Sequence, residues 1–303
     1  MAPVEVFEVE SATDVYYVDT GMYDTPEYGA VYIVDAERPA VVDTGIGTHW
    51  ERVTDAIESV GIDLADLEVI APTHVHLDHA GGAGFLAEAA PNAEVYVHEI
   101  GAPHLVDPSR LVEGTKAAVG EQWQFYTDPK PVPEDRITEL TDGDVIDLGD
   151  RELTALHAPG HAPHQVVFHE AADAAVYVAD AAGIWVPEQD RIRETSPPPN
   201  FDLELVLEDV QTVADLNPEV LLYPHFGPVD EDPQATLAEY EQVIVDWVEA
   251  VEARLEELDD EDAVVEHFVE NNEMEGTWGT IKASAETGMN VRGVLRYLKS
   301  NDA

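Results

Sequence analysis

Three histidines and an aspartate fall within six residues, His74-Val75-His76-Leu77-Asp78-His79, directly after an apolar stretch from Glu68 to Ala71 that ends at Pro72. This run constrains the fold more than any other part of the chain, because side chains of extended backbone alternate with period two. His74 and His76 therefore point to one side and can grip a single cation, and Asp78 lies on the same alternation. His79 follows where the chain turns into Ala80-Gly81-Gly82, and the glycines let the backbone curl tightly enough to aim His79 and Asp78 at a second site. A lone histidine is more often a hydrogen-bonded or surface residue than a ligand, but this clustering is not typical of surface histidines. Nitrogen and oxygen donors without sulfur suit zinc, iron, manganese or nickel, and composition does not choose among them.

The chain has 303 residues, 45% of them hydrophobic, enough for one large domain with a buried core and a small appendage. Cysteine is absent, which excludes disulfides, thiolate catalysis and sulfur-ligated metal. The 64 acidic and 14 basic side chains give a formal net charge of -50, whose self-repulsion strains a compact fold at low salt and is screened at high ionic strength. Residues 233 to 303 hold 17 acidic and 5 basic side chains, a density like that of the whole, so the acidity is global and not a tail made for a basic partner. Only Lys116, Lys130, Lys282 and Lys299 are lysines, a skew that fits a halophilic protein in a salt-rich cytoplasm. Met1-Ala2-Pro3-Val4-Glu5 has neither the basic region nor the apolar core of a leader, and no apolar run approaches a membrane span, so a soluble cytoplasmic protein is expected.

Short apolar or alternating stretches predict strands at Val4 to Val9, Val15 to Val18, Ala30 to Val34, Ala40 to Val42 and Glu68 to Ala71. Further strands are predicted at Val95 to His98, Val145 to Leu148, Glu152 to His157, Gln165 to His169, Ala175 to Ala179 and Val220 to Tyr223. Helical spacing marks Thr48 to Val60, Gly84 to Ala89 and Asp202 to Leu216. Strand-rich runs with interspersed helices point to an α/β sandwich whose helices cover both sheets. Between His104 and Arg136 the period fails, and Trp123, Phe125, Tyr126 and four prolines suggest an irregular or partly helical insertion, either a lid or an ordered surface excursion. From Pro233 the pattern becomes helical: Leu237, Tyr240, Ile244, Trp247, Val248, Val251 and Leu255 predict one long amphipathic helix to Leu258, with shorter helices after it and the last from Asn290 to Lys299. A domain boundary is placed near residue 233.

The ordered motifs are Val-Val-Asp43-Thr-Gly, Thr73-His-Val-His-Leu-Asp-His-Ala-Gly-Gly82, Ala-Pro-Gly-His161, Val-Ala-Asp180 and Tyr-Pro-His225-Phe-Gly. Together they resemble the five motifs of the metallo-β-lactamase superfamily, and most closely its glyoxalase II and acyl-homoserine lactonase branch. The resemblance covers roughly residues 1 to 232. It implies a four-layer αββα sandwich, extended in this chain by the C-terminal helices of residues 233 to 303, with the site at one edge of the two sheets. It also implies that His74, His76 and His161 bind one metal, that Asp78, His79 and His225 bind a second, and that Asp180 bridges both. Asp43 would support the histidine loop through hydrogen bonds without being a ligand. Taken singly, His161 in its Pro-Gly turn could be structural, Asp180 a turn or cap residue, and His225 uninformative. Of the other histidines, His157 and His169 read as structural and His49 and His267 as solvated. His98, His104 and His164, with Trp185, Phe201 and the Pro197-Pro198-Pro199 loop, are candidates for the substrate pocket.

Two divalent cations, zinc first with iron and manganese as alternatives, would lower the pKa of a bridging water to roughly 7 and polarise a carbonyl. This predicts a hydrolase in which a metal-bridging hydroxide attacks a small ester, thioester or lactone, with Asp78 and Asp180 as its catalytic carboxylates and Asp78 carrying a proton to the leaving group. A β-lactamase proper and a flavodiiron oxygen reductase fit less well, the latter because that branch has Glu where this chain has His76. Rival readings are a mononuclear iron persulfide dioxygenase and a nuclease of the tRNA 3′ processing type, for which a charge of -50 offers no basic groove. A non-enzymatic role rests on residues 276 to 301, where Glu286 alone stands against Lys282, Arg292, Arg296 and Lys299. Thr287-Gly288-Met289-Asn290 would be the turn of a helix-turn-helix binding nucleic acid or protein, although docking on the chain's own acidic surface or at a homodimer interface is the plainer use.

Overall fold

The computed structural model describes residues 4–301; residues 1–3 of the stretch read for a leader and the last two of the C-terminal segment lie outside the described residues. The first sheet has seven strands in sequence order: β1 (Val6–Glu8), β2 (Val15–Asp19), β3 (Ala30–Val34), β4 (Ala40–Val42), β5 (Val69–Ala71), β6 (Glu94–His98) and β7 (Ile137–Leu140). Its first four strands form an antiparallel meander, and β4 to β7 run parallel. The helices α1 (Trp50–Ser59), α2 (Leu77–Ala80), α3 (Ala83–Ala89), α4 (Ala102–Val106) and α5 (Ser109–Val119) fall within the parallel crossovers. The second sheet, of six strands, comprises β8 (Val145–Asp147), β9 (Glu152–His157), β10 (Val166–Glu170), β11 (Ala175–Tyr177), β14 (Val220–Tyr223) and β15 (Gly227–Val229). A separate hairpin pairs β12 (Ile184–Val186) with β13 (Arg191–Arg193). α6 (Leu203–Asp215) precedes β14, and α7 (Pro233–Leu258), α8 (Glu261–Glu270) and α9 (Glu275–Asn301) close the chain.

Alternation along the central strands builds four layers. Tyr32 and Val34, Val42, Ala71, Phe168, Tyr177 and Leu222 meet between the sheets. Their sequence neighbours Ile33, Val41 and Ile70 face outward onto Val53 and Ile57 of α1 and Leu86 of α3. Val167, Val176 and Leu221 likewise face α6, α7 and α9. Strands covered on both faces read as continuous apolar runs, which is why the central strands were recognisable by composition more than by alternation. The αββα sandwich with C-terminal helices is thus the observed architecture.

Asp232 caps α7 by accepting from the Ala235 amide at 3.1 Å. The helical segment from residue 233 contributes Leu237, Tyr240, Ile244, Val291 and Val294 to the cluster that covers the second sheet. In α9, an added Cβ on Gly293 would lie 1.7 Å from the Ser196 carbonyl oxygen, so helix and loop backbones touch there. One expectation changes. Residues 287 to 290 lie inside α9 with Thr287, Gly288 and Asn290 buried, so there is no helix-turn-helix turn at that position; the helix breaks instead at Gly279, at φ 74°. The insertion after His104 contains α5 and a short helical turn, Gly120–Phe125, both of which pack against α9. Among the described residues no helix is long and apolar enough to cross a membrane.

Candidate metal centre

Each motif sits in the loop directly after a strand: Asp43 after β4, the histidine run after β5, His161 after β9, Asp180 after β11 and His225 after β14. β4 and β5 are parallel, and β9, β11 and β14 share one direction in the second sheet, so all five loops emerge at one edge. The loop after β4 clamps α2: the Thr44 amide and hydroxyl both donate to the His79 carbonyl, at 2.7 and 2.8 Å. Gly82 allows this approach, since a Cβ there would stand 2.2 Å from the Thr44 carbonyl oxygen. On the other side, the Gly160 amide donates to Asp209 of α6 at 2.7 Å and the Asp180 amide to Gln165 at 3.2 Å, fixing the loops that carry His161 and Asp180.

All seven residues read as ligands converge. His74, His76 and His161 form one group, with His76 Nδ1 at 3.0 Å from both His74 Nε2 and His161 Nε2. Asp78, His79 and His225 form another, with 3.2 Å between His79 Nε2 and His225 Nε2. Asp78 Oδ2 lies 3.9 Å from His225 Nε2 and 4.0 Å from His79 Nε2. Asp180 stands between the groups: Oδ2 is 3.1 Å from His161 Nε2, while Oδ1 is 3.4 Å from His79 Nε2 and 3.7 Å from His225 Nε2.

The outer partners settle which ring nitrogens turn inward. Asp43 Oδ1 accepts from the Thr73 amide (2.8 Å) and hydroxyl (2.9 Å), and its Oδ2 accepts from His79 Nδ1 at 3.0 Å. Because the Thr73 hydroxyl is spent on Asp43, it accepts from His74 Nδ1 at 3.2 Å. His225 Nδ1 donates to the Tyr28 carbonyl at 2.8 Å. Nε2 of His74, His79 and His225 is therefore the nitrogen turned inward, where a metal would meet it. Buried Asp180 Oδ1 has no hydrogen-bond partner among the described residues, an orphaned acceptor of the kind a cation would satisfy. Burial holds His74 well below the usual imidazole pKa and takes His161 down to about 3 against the pull of Asp180, keeping both neutral as ligands must be. Burial also opposes charge on His79, but Asp180, Asp43 and Asp78 together raise it well above the usual value. The donor set fits divalent metal.

The cavity over this centre has a volume of about 240 Å³. His104, His164 and the Pro197-Pro198-Pro199 loop line it, as do His76, Asp78, His161, Asp180 and His225. His98, Trp185 and Phe201 do not. His98 stacks on His157 with ring centroids 4.3 Å apart, Trp185 packs on the core under α6 and α7, and Phe201 meets Tyr297 edge-on at 5.7 Å. The insertion read as a possible lid supplies Leu111, Val119, Gln122 and Tyr126 to the walls, and sequence reasoning missed Tyr23 and Tyr28 before β3 and Glu286 and Met289 from α9. The scarcity of acidic residues over 276 to 301 was the one available signal for the last of these.

The sequence pattern of the metallo-beta-lactamase superfamily matches residues 24–225. The metallo-beta-lactamase fold-containing protein ST1585 of Sulfurisphaera tokodaii is 24% identical over 220 residues, 71% of this chain and 79% of that protein. Its crystal structure superposes with a TM-score of 0.71 at 22% identity, covering 94% of this chain and 99% of the other. The acyl-coenzyme A thioesterase MBLAC2 of Gallus gallus is 28% identical over 173 residues, and the match spans 52% of this chain and 58% of the thioesterase. The N-acyl homoserine lactonase AttM of Rhizobium radiobacter is 31% identical over 158 residues, 45% of this chain and 54% of the lactonase. With five strand-end loops delivering these ligands to one edge of an αββα sandwich, and the superfamily pattern spanning most of the sandwich, this chain belongs to the metallo-beta-lactamase superfamily.

Proposed function

We propose that this chain is a dinuclear metal-dependent hydrolase of a small ester, thioester or lactone. The observation that carries this reading is Asp180, whose two carboxylate oxygens face the two ligand groups separately. His74, His76 and His161 would hold one cation, Asp78, His79 and His225 the other, and zinc suits such nitrogen and oxygen donors. Cations so held supply an activated water near neutral pH and polarise a carbonyl. The chain's own groups do the rest. Asp78, at the cavity floor and partly exposed, is placed to pass a proton to the leaving group. Leu111, Ala118, Val119, Ile184 and Met289 exclude water around an acyl group. A thioesterase and a lactonase among the relatives support the substrate class. The uniform acidity further supports a halophilic, cytoplasmic setting.

The test is metal content by mass spectrometry on purified protein, then turnover of thioesters, lactones and phosphodiesters in high salt. Two equivalents of metal with ester or thioester cleavage are expected. One equivalent of iron with oxygen uptake on a persulfide, or phosphodiester cleavage alone, would overturn the reading.

A further inference from the structure

Glu286 and Lys282 are paired one turn apart in α9, and both are buried, at 5% and 3% exposure. Lys282 Nζ also sits 4.3 Å over the Tyr23 ring and 4.1 Å over the Tyr28 ring. Tyr28 in turn packs on His225, ring centroids 4.9 Å apart, so this pair stands just across one aromatic ring from the metal centre. Glu286 gives one oxygen, Oε2, to Lys282; its Oε1 makes no hydrogen bond among the described residues, and the side chain lines the cavity. Gln122 lines the same cavity at 2% exposure. Its short helical turn packs directly on α9. An acceptor and an amide that both line one cavity are placed to hydrogen-bond a ligand that enters it.

We infer that Glu286 and Gln122 form a subsite for an uncharged hydrogen-bond donor, a hydroxyl or amide N–H, carried by the acyl part of the substrate; this rests on the hydrolase reading above. Lys282 neutralises the carboxylate, so the pair offers no net charge to either a cation or an anion and the subsite favours a neutral donor. A hydrogen bond to a charged acceptor in a dry site changes selectivity by roughly tenfold to a hundredfold.

The test compares kcat/KM for aryl thioesters of 3-hydroxybutyrate, butyrate and succinate with the metal-loaded protein. The hydroxylated ester is expected to exceed the plain one by roughly tenfold or more, and the succinyl ester to fall below it. Glu286→Gln should shrink both ratios, and Gln122→Leu, which unpairs no charge, carries the test if the first variant fails to fold. Equal kcat/KM for the hydroxylated and plain esters, or ratios unmoved by the variants, would overturn the subsite while leaving the hydrolase reading intact. Absence of turnover on esters, thioesters and lactones alike would instead overturn the hydrolase reading. Calorimetry with the matching methyl ketones then reads the subsite alone, where equal affinity for the hydroxylated and plain ketones refutes it.

Discussion

Asp43→Asn separates the outer support of the metal centre from its ligands. Asp43 has φ 63°, a left-handed conformation that Asn tolerates and Ala does not, so the substitution changes chemistry without straining the backbone. Asparagine keeps a carbonyl oxygen for the Thr73 amide and hydroxyl, now 2.8 and 2.9 Å from Oδ1. On the other side it presents an NH₂ group to His79 Nδ1, where the carboxylate now accepts at 3.0 Å. To avoid two donors facing each other, His79 must move its proton to Nε2, the nitrogen that points at Asp180 and His225. The lost interaction is a buried, charge-assisted hydrogen bond worth about 1.5–3 kcal/mol. Charged to cation binding at about 1.4 kcal/mol per tenfold, this predicts a roughly ten- to hundredfold loss of affinity at the second site, in line with other partners that orient ligating histidines. The first group should keep its cation, because the Thr73 to His74 link survives. Equilibrium dialysis at graded free zinc with metal quantitation reads both affinities, and a thermal melt checks folding. A folded variant that binds both equivalents as tightly as the parent would refute the tautomer argument.

Three further outcomes follow from the packing. Burial pushes the Asp209 carboxyl up from 3.8 to about 7 despite the Gly160 amide that it accepts. Between those values the native state holds a proton that the unfolded chain has released, so stability falls as pH rises through this window, by about 4 kcal/mol in all. Asp209→Asn keeps the acceptor and should flatten urea-denaturation stability between pH 4 and 7; an unchanged slope would assign the pH dependence elsewhere. Gly293→Ala drives a methyl into the Ser196 carbonyl and, by parting α9 from a loop held through Asn290, should cost about 3 kcal/mol, whereas a loss under about 1 kcal/mol would mean that the helix and loop shift freely. Melting temperature should rise steeply with KCl as the net charge of -50 is screened, and full stability at low salt would sink the halophilic reading.

What the sequence determined by itself was whatever is written in local spacing. The alternation of His74 and His76, the glycines after His79 and the apolar stretches are short-range patterns, so the histidine run and most strands were legible, whereas His161, Asp180 and His225 stood out only through the family resemblance. Local pattern has a limit: strands such as β7, β13 and β15 were missed because charged residues, glycine or proline interrupt the apolar run that marked β4, β5 and β11. The same limit made Thr287 to Asn290 look like a turn, when burial of Thr287, Gly288 and Asn290 against the sandwich keeps them helical. Only the tertiary structure decided what stands over the metals. His98, Trp185 and Phe201 are close to the motifs in sequence but pack elsewhere, while Tyr28, Gln122 and Glu286 are brought together from three separate segments. Ligand loops are set by the strands they follow, which is local; the pocket is set by which remote surfaces dock across the edge, and no periodicity records that.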